Sequence, residues 1–329
     1  MDEVILHPPE PYVKTSISIV LSALGLLTSV VILGVFGWFS RGEKNKRPDG
    51  FGMWVTVHTV SERYKASWTP GKFWPKTQTE HSKKNEHGYK IYSAVWMFLI
   101  GWLGCSSLYL VLIGLIEQIE IFRETEHLIS ILLVSLSLLI AAFWPLVFRL
   151  GSHPETVENM RNTHTAQEKK KRKMVKTIYL WIACAMLTVS ASLAVAASAT
   201  LQAWTLPGPQ YGTLVFLGPG YGLLAGWLLF AVALNCTVAI SHDSYPSGTL
   251  VFPDERIAYS HRGSLSPPLL AILLLAISIA IKDPAIPVPA MIALFFFTPR
   301  VNTHLTASAI CLLGIVISSI VVVVERMSS

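Results

Sequence analysis

The sequence predicts an all-α fold, a polytopic transmembrane helical bundle, and three observations carry that expectation. Of 329 residues, 52% are hydrophobic and only 14% are charged, whereas soluble domains carry about 25% charged residues. The charges are unevenly placed: from Thr177 to His242 there is no Asp, Glu, Lys or Arg. Further charge-free runs lie at 15–40, 91–116, 127–148, 263–281 and 301–324. Each is long enough to cross ~30 Å of hydrocarbon at ~1.5 Å per residue. A core helix of a soluble bundle keeps a polar face toward water, and these runs are apolar all round.

Taken in chain order, the first span is expected at 16–39, behind an acidic, Pro-rich segment 1–15 that is assigned to the extracytosolic side. That segment lacks the basic stretch of a signal peptide, so the first span is read as retained. Spans follow at 92–116, 128–148, 178–201, 213–240, 265–281 and 303–324. An eighth segment, 285–297, is short and follows the breaker run Lys282-Asp283-Pro284. It suits a tilted short span or a re-entrant piece buried against protein.

The loops set an orientation. The loop 40–90 holds eleven Lys/Arg and the one between the third and fourth spans holds eight, Arg149 and Lys176 included. The loop after the second span is acidic (Glu117, Glu120, Glu124 and Glu126 against Arg123), and the one after the fourth has no charge. Basic loops face the cytosol, which puts the 40–90 loop there, or on the equivalent side of an organelle, and the N-terminus opposite. The formal net charge of +6 therefore mostly reports topology. The run Lys169-Lys170-Lys171-Arg172-Lys173 suits anionic headgroups. No RNA-binding pattern accompanies it, so the expected partners are membrane lipids and no nucleic acid.

Chemistry-bearing motifs are sparse. The sequence contains no HExxH, CxxC, P-loop or GxSxG pattern, and its ten histidines are scattered, mostly in loops. Lys or Asp/Glu at mid-span, which ion-coupled pumps and retinal proteins require, is missing from every predicted span. No enzymatic activity, no metal and no required cofactor are expected. Cys105, Cys184, Cys236 and Cys311 all fall in spans and read as small apolar packing residues. Tryptophans are abundant, and an interfacial belt accounts for Trp204, Trp102 and Trp181. Trp227 lies too deep for a belt, so its indole N–H is expected to face a neighbouring helix or a ligand.

Four pieces, in order, carry a resemblance. The loop after the first span reads Lys65-Ala66-Ser67-Trp68-Thr69-Pro70, and the second span opens Ser93-Ala94-Val95-Trp96. The third ends Trp144-Pro145-Leu146-Val147-Phe148, and the fifth carries Trp227, Ala231, Leu234 and Asn235. Together they resemble the TspO/MBR family, the tryptophan-rich sensory proteins that include the translocator protein. The family's patterns are K-P-S-W-T-P-P, G-P-V-W, N-x-x-W-S-P-L-F-F and P-Y-L-x-W-x3-A-x2-L-N. Departures are present: Ala141 stands where the family has Asn, and Leu223 where it has Pro. The 70–96 segment is about seventeen residues longer than the family's. The resemblance covers 16–240 as a five-helix core, and 241–329 is additional, with two or three further membrane helices.

The resemblance implies a pocket for a flat lipophilic ligand such as a porphyrin, haem or a sterol. Trp68 and Pro70 would roof it, Trp96, Trp144, Phe148 and Trp227 would wall it, and Ala231 would leave room beside Trp227. Asn235 is expected to make a helix–helix contact. Gly218, Gly222 and Gly226 repeat at spacing four, a face for close packing within the chain or for a homodimer. A second reading stays open: a non-catalytic structural or assembly subunit of a larger membrane complex, its pocket vestigial.

Overall fold

A computed structural model describes residues 102, 105, 125–152, 166–202, 204, 217–244, 261–297 and 302–328. Among these the chain is all helical, without a strand. The helices are α1 (Thr125–Ser152), α2 (Ala166–Leu201), α3 (Gly218–Ser244), α4 (His261–Ala280), α5 (Val288–Phe297) and α6 (Asn302–Ser328). The segment 1–15, the span at 16–39 and the loop 40–90 lie outside the described residues, as does the span at 92–116 except for residues 102 and 105.

The other six segments each coincide with a helix. α2 begins twelve residues before the apolar stretch at 178, because Glu168 to Lys173 are strong helix formers that continue the helix without being apolar. α3 opens on Gly218-Pro219, where a proline in the first turn removes no hydrogen bond the helix would have made. By length and composition two stretches, Met174–Leu201 and Leu305–Ser328, could cross a membrane. Ile129–Ala141, Gly218–Ala233 and Pro267–Ala280 are shorter apolar stretches.

α2 is the centre of the first group, with α1 on one side and α3 on the other. Its buried positions, Leu180, Ala183, Leu187, Ala191, Ala194, Ala197 and Leu201, recur every three or four residues, as a helix with one committed face must. α1 runs antiparallel to it: Ser130 Oγ donates to the Ala197 carbonyl at 2.8 Å, and Gly151 lies against Leu180. Midway, Ser137 and Ser190 clasp each other, each hydroxyl 2.8 Å from the other's backbone carbonyl oxygen. Such neutral bonds contribute about 0.5–1.5 kcal/mol each. Their small side chains also let the two helices come close.

α4 and α6 form the second group and run parallel. Gly314 of α6 sits against Leu275 of α4, and Lys282, just past the end of α4, pairs with Glu325 near the end of α6. Parallel neighbours need a returning connection, and α5 provides it. α5 follows α3 in the same direction: Gly222 meets Asp283 and Ala285, and Gly226 meets Ile286 and Pro289. α5 then hairpins into α6, with Ser308 Oγ donating to the Met291 carbonyl at 3.3 Å.

The two helix ends facing this junction are closed by left-handed residues. At α4, Asp283 N–H bonds the Ser278 carbonyl at 3.0 Å and Lys282 N–H bonds Ile279 at 3.3 Å, with Lys282 at φ 58°. At α2, Gln202 takes φ 44° and its N–H bonds Ser198. Neither is glycine, so each stop costs about 1–2 kcal/mol in backbone strain that its hydrogen bonds offset.

The tightest contact between α3 and the second group is at Gly226, where a Cβ would run into the Ile286 carbonyl oxygen. Gly226→Ala is expected to cost about 1–3 kcal/mol by overpacking. It should lower the unfolding temperature and speed proteolysis within 283–289. Gly151→Ala, which meets first the movable Leu180 side chain at 2.8 Å, should cost less. Equal effects at the two sites would contradict this packing.

Candidate functional site

Two clusters stand out, one marked by the sequence and one not. The first is a set of two aromatic pairs, one on α1 and one on α3, the two helices that flank α2. On α1, Trp144 and Phe148 are buried, their rings 5.4 Å apart and tilted at 45°. On α3, Trp227 is buried and its ring lies 6.1 Å from that of Phe230, tilted at 43°. Tilted pairs at such separations add about 0.5–1.5 kcal/mol beyond area burial. Ala231, one turn beyond Trp227, is half-buried and packs on the core. Trp68 and Pro70, which the resemblance places in the roof, and Trp96, which it places in the aromatic wall, lie outside the described residues.

The residues marked for helix packing sit on α3. Asn235 is buried, and its Nδ2 donates to the Leu180 carbonyl of α2 at 3.3 Å. Gly218 is buried at the start of α3. Gly222 and Gly226 are both covered by the 283–289 segment of the same chain. Gly226 immediately precedes Trp227, so the covered glycine face and the aromatic residues share the same turns of α3.

The second cluster centres on Asp283, which is 1% exposed. Its carboxylate accepts three hydrogen bonds: from Ser198 Oγ at the end of α2, from Trp204 Nε1 at 2.9 Å and from Ala285 N–H at 2.9 Å. A buried carboxylate without such donors would cost several kcal/mol. A Cβ on Gly222 would lie 2.5 Å from Asp283 Oδ2, so only a glycine admits the carboxylate here. Around the rim, Lys282 pairs with Glu325 and Arg326 Nε donates to the Trp204 carbonyl at 2.6 Å. The Lys282–Glu325 pair is well exposed and contributes at most about 1 kcal/mol.

Sequence reasoning missed this centre. Asp283 reads as one letter of a helix-breaking run, and its partners lie 79 and 85 residues away. The available signal was an acidic residue directly after an apolar helix with a Trp in the loop after another. Tyr221, beside Gly222, was also missed; it is fully buried, and its hydroxyl has no hydrogen-bond partner among the described residues. No three His, Cys, Asp or Glu side chains among the described residues gather as a metal site would need.

The chain matches no model of a known protein family, no curated protein and no solved structure.

Burial raises the Asp283 carboxyl from 3.8 to about 6, against the opposing pull of its hydrogen bonds from Ser198, Ala285 and Trp204. The folded value lies above the unfolded one, so the folded chain holds the proton more tightly. The resulting stability is fully present below about pH 3.8 and is lost as pH rises through about 6. The full rise corresponds to about 3 kcal/mol. Asp283→Asn keeps an acceptor for Trp204 and Ala285 and leaves Lys282, Glu325 and Arg326 in place. The variant is expected to melt higher than the parent at pH 7.5, with the advantage gone at pH 4. A difference that does not vary with pH would show that this carboxyl carries no such cost.

Proposed function

We propose that the chain is an integral membrane protein with a TspO-like core, binding or transporting a flat lipophilic ligand against the aromatic residues of α1 and α3. The observation that carries the membrane part is the outer faces of the helices. α1 buries one stripe and presents Leu132, Leu136 and Phe143 on the other side, and α6 presents Leu312, Val316, Ile320 and Val323. Contiguous aliphatic ridges of this length suit lipid far better than water. α2 then carries its basic stretch 169–173 as a rigid helical extension into the headgroup region.

The observation that carries the ligand part is the burial of Trp144 and Trp227, each beside a second ring, on the two helices flanking α2. Buried indoles, each beside a second ring, favour a planar ring system, which gains stacking where it meets an indole. Porphyrins and sterols are the ligand classes to test. The membrane reading also assigns the end of the chain. With α4 and α6 parallel, 282–297 carries the chain back across, and the α6 end shares the N-terminal side.

Two measurements test this reading. Purified protein in detergent should bind protoporphyrin or cholesterol at micromolar levels, and Trp144→Ala and Trp227→Ala should each weaken binding more than tenfold, about 1.4 kcal/mol or more. Ala231→Phe should do the same by filling the space. Absence of binding by either ligand would favour a structural or assembly subunit of a larger membrane complex. For topology, cysteine labels at Lys83 and at Glu124 should report opposite sides. A tag after Ser329 should report with Glu124. A tag on the Lys83 side would mean that 282–297 does not return.

A further inference from the structure

The side chains of Cys184 on α2 and Cys236 on α3 lie within hydrogen-bonding reach of each other. The helix register places them together independently. α2 and α3 are antiparallel, and Asp283 ties Ser198 of α2 to the Gly222 position of α3. Cys184 is fourteen residues before Ser198 and Cys236 fourteen after Gly222, so equal helix lengths lead from that junction to the two thiols. Nearby, Asn235 Nδ2 bonds the Leu180 carbonyl, one turn from Cys184.

The surroundings are those of a thiol pair set among polar groups. Asn235 and Thr188 also reach the Cys184 thiol, and the buried Asn235 Oδ1 has no hydrogen-bond partner among the described residues. Cys184 is buried and Cys236 half-buried, so the two differ in access to a reagent arriving from outside the α2–α3 seam. Serine or alanine would pack a helix seam as well as cysteine does. Two cysteines facing each other add a reaction that neither alone offers.

We infer that Cys184 and Cys236 form an oxidisable dithiol, closed by a hydroperoxide into a disulfide that staples α2 to α3. The more accessible Cys236 sulfur attacks one oxygen of the O–O bond, which breaks. Cys236 becomes a sulfenic acid, and the other oxygen leaves as an alcohol, or as water when the oxidant is hydrogen peroxide. The Cys184 sulfur then attacks the Cys236 sulfur, the S–S bond forms and water departs. The two thiols together lose two electrons and two protons, which the hydroperoxide takes up. The staple joins α2 to α3 one to two turns from Ala231, so it would hold the aromatic face of α3 at a set distance from α2. The inference needs no bound ligand and stands apart from the proposal for a flat lipophile.

The test uses the full chain, purified under reductant, freed of it, and exposed to hydrogen peroxide. Of four cysteines, two should lose reactivity toward an alkylating reagent while the protein stays monomeric. Digestion without reductant should yield one linked peptide pair joining Cys184 to Cys236. Dithiothreitol should restore both thiols. Cys184→Ser and Cys236→Ser should each abolish the linked pair, and Cys184→Ser should leave a sulfenic acid at Cys236 that a dimedone probe captures. Because the unmodified chain itself carries the main readout, misfolding of a variant does not decide the outcome. A linked pair involving Cys105 or Cys311, a disulfide-linked dimer, or four thiols still alkylated after peroxide would each overturn the inference.

Discussion

A backbone carbonyl resting on a bare Cα is the contact on which the second half of the structure depends. Gly226 lets Ile286 come in as close as backbone allows, and Gly222, one turn earlier, leaves the space that Asp283 fills. With the turn seated in that groove, the Asp283 carboxylate is within reach of the end of α2 and of the Trp204 indole. The direction of α5 follows, since Ile286 and Pro289 can meet Gly226 only if the chain descends along α3. The parallel pairing of α4 and α6 is then a consequence of topology. Two glycines thus decide how three further helices attach.

The remaining seams rely on the same economy of size. Ser130, Ser137 and Ser190 bond backbone carbonyls of the facing helix, and Ala307, Cys311, Gly314 and Ser318 make the buried stripe of α6. In water, burial of large side chains would be the expected source of cohesion. On α6 the large aliphatic residues Leu312, Val316, Ile320 and Val323 point outward and the small ones inward. That inversion is expected where the surroundings are themselves apolar. Close van der Waals contact and hydroxyl-to-carbonyl bonds then distinguish one helix partner from another.

The legible part of this fold was the part with local causes. Charge-free runs set the positions of α1, α2, α4 and α6 to within a few residues at the apolar ends, because apolarity over twenty residues needs no partner to be recognised. The helical stretch before Met174 was not legible as part of the span, because its residues have high helix propensity and low hydropathy. The glycine repeat on α3 was visible as a close-packing face, but what it packs against was not. Its partner is a turn sixty residues on, and no period in the sequence points from one to the other. Cys184 and Cys236 illustrate the same limit. Each alone reads as a packing residue, and only an antiparallel register makes them neighbours. Asp283 was hidden for a further reason. A carboxylate after an apolar helix ordinarily marks the return to solvent, and only three specific donors make its burial tolerable.

α3 is the helix on which these features meet, and their order along it has a physical logic. The Asp283 junction meets Gly222, the aromatic residues Trp227 and Phe230 come next, and Asn235 with Cys236 touches α2 near the far end. The first and last are about 21 Å apart at 1.5 Å per residue, so α3 is tied to its neighbours at both ends. A helix tied in this way cannot slide along its axis without breaking polar contacts in an apolar surround, where a lost bond finds little replacement. Between the ties, Ala231 is small and half-buried. The Trp227 ring, which follows Gly226 directly in the chain, is therefore held in register with α2 by ties on both sides of it.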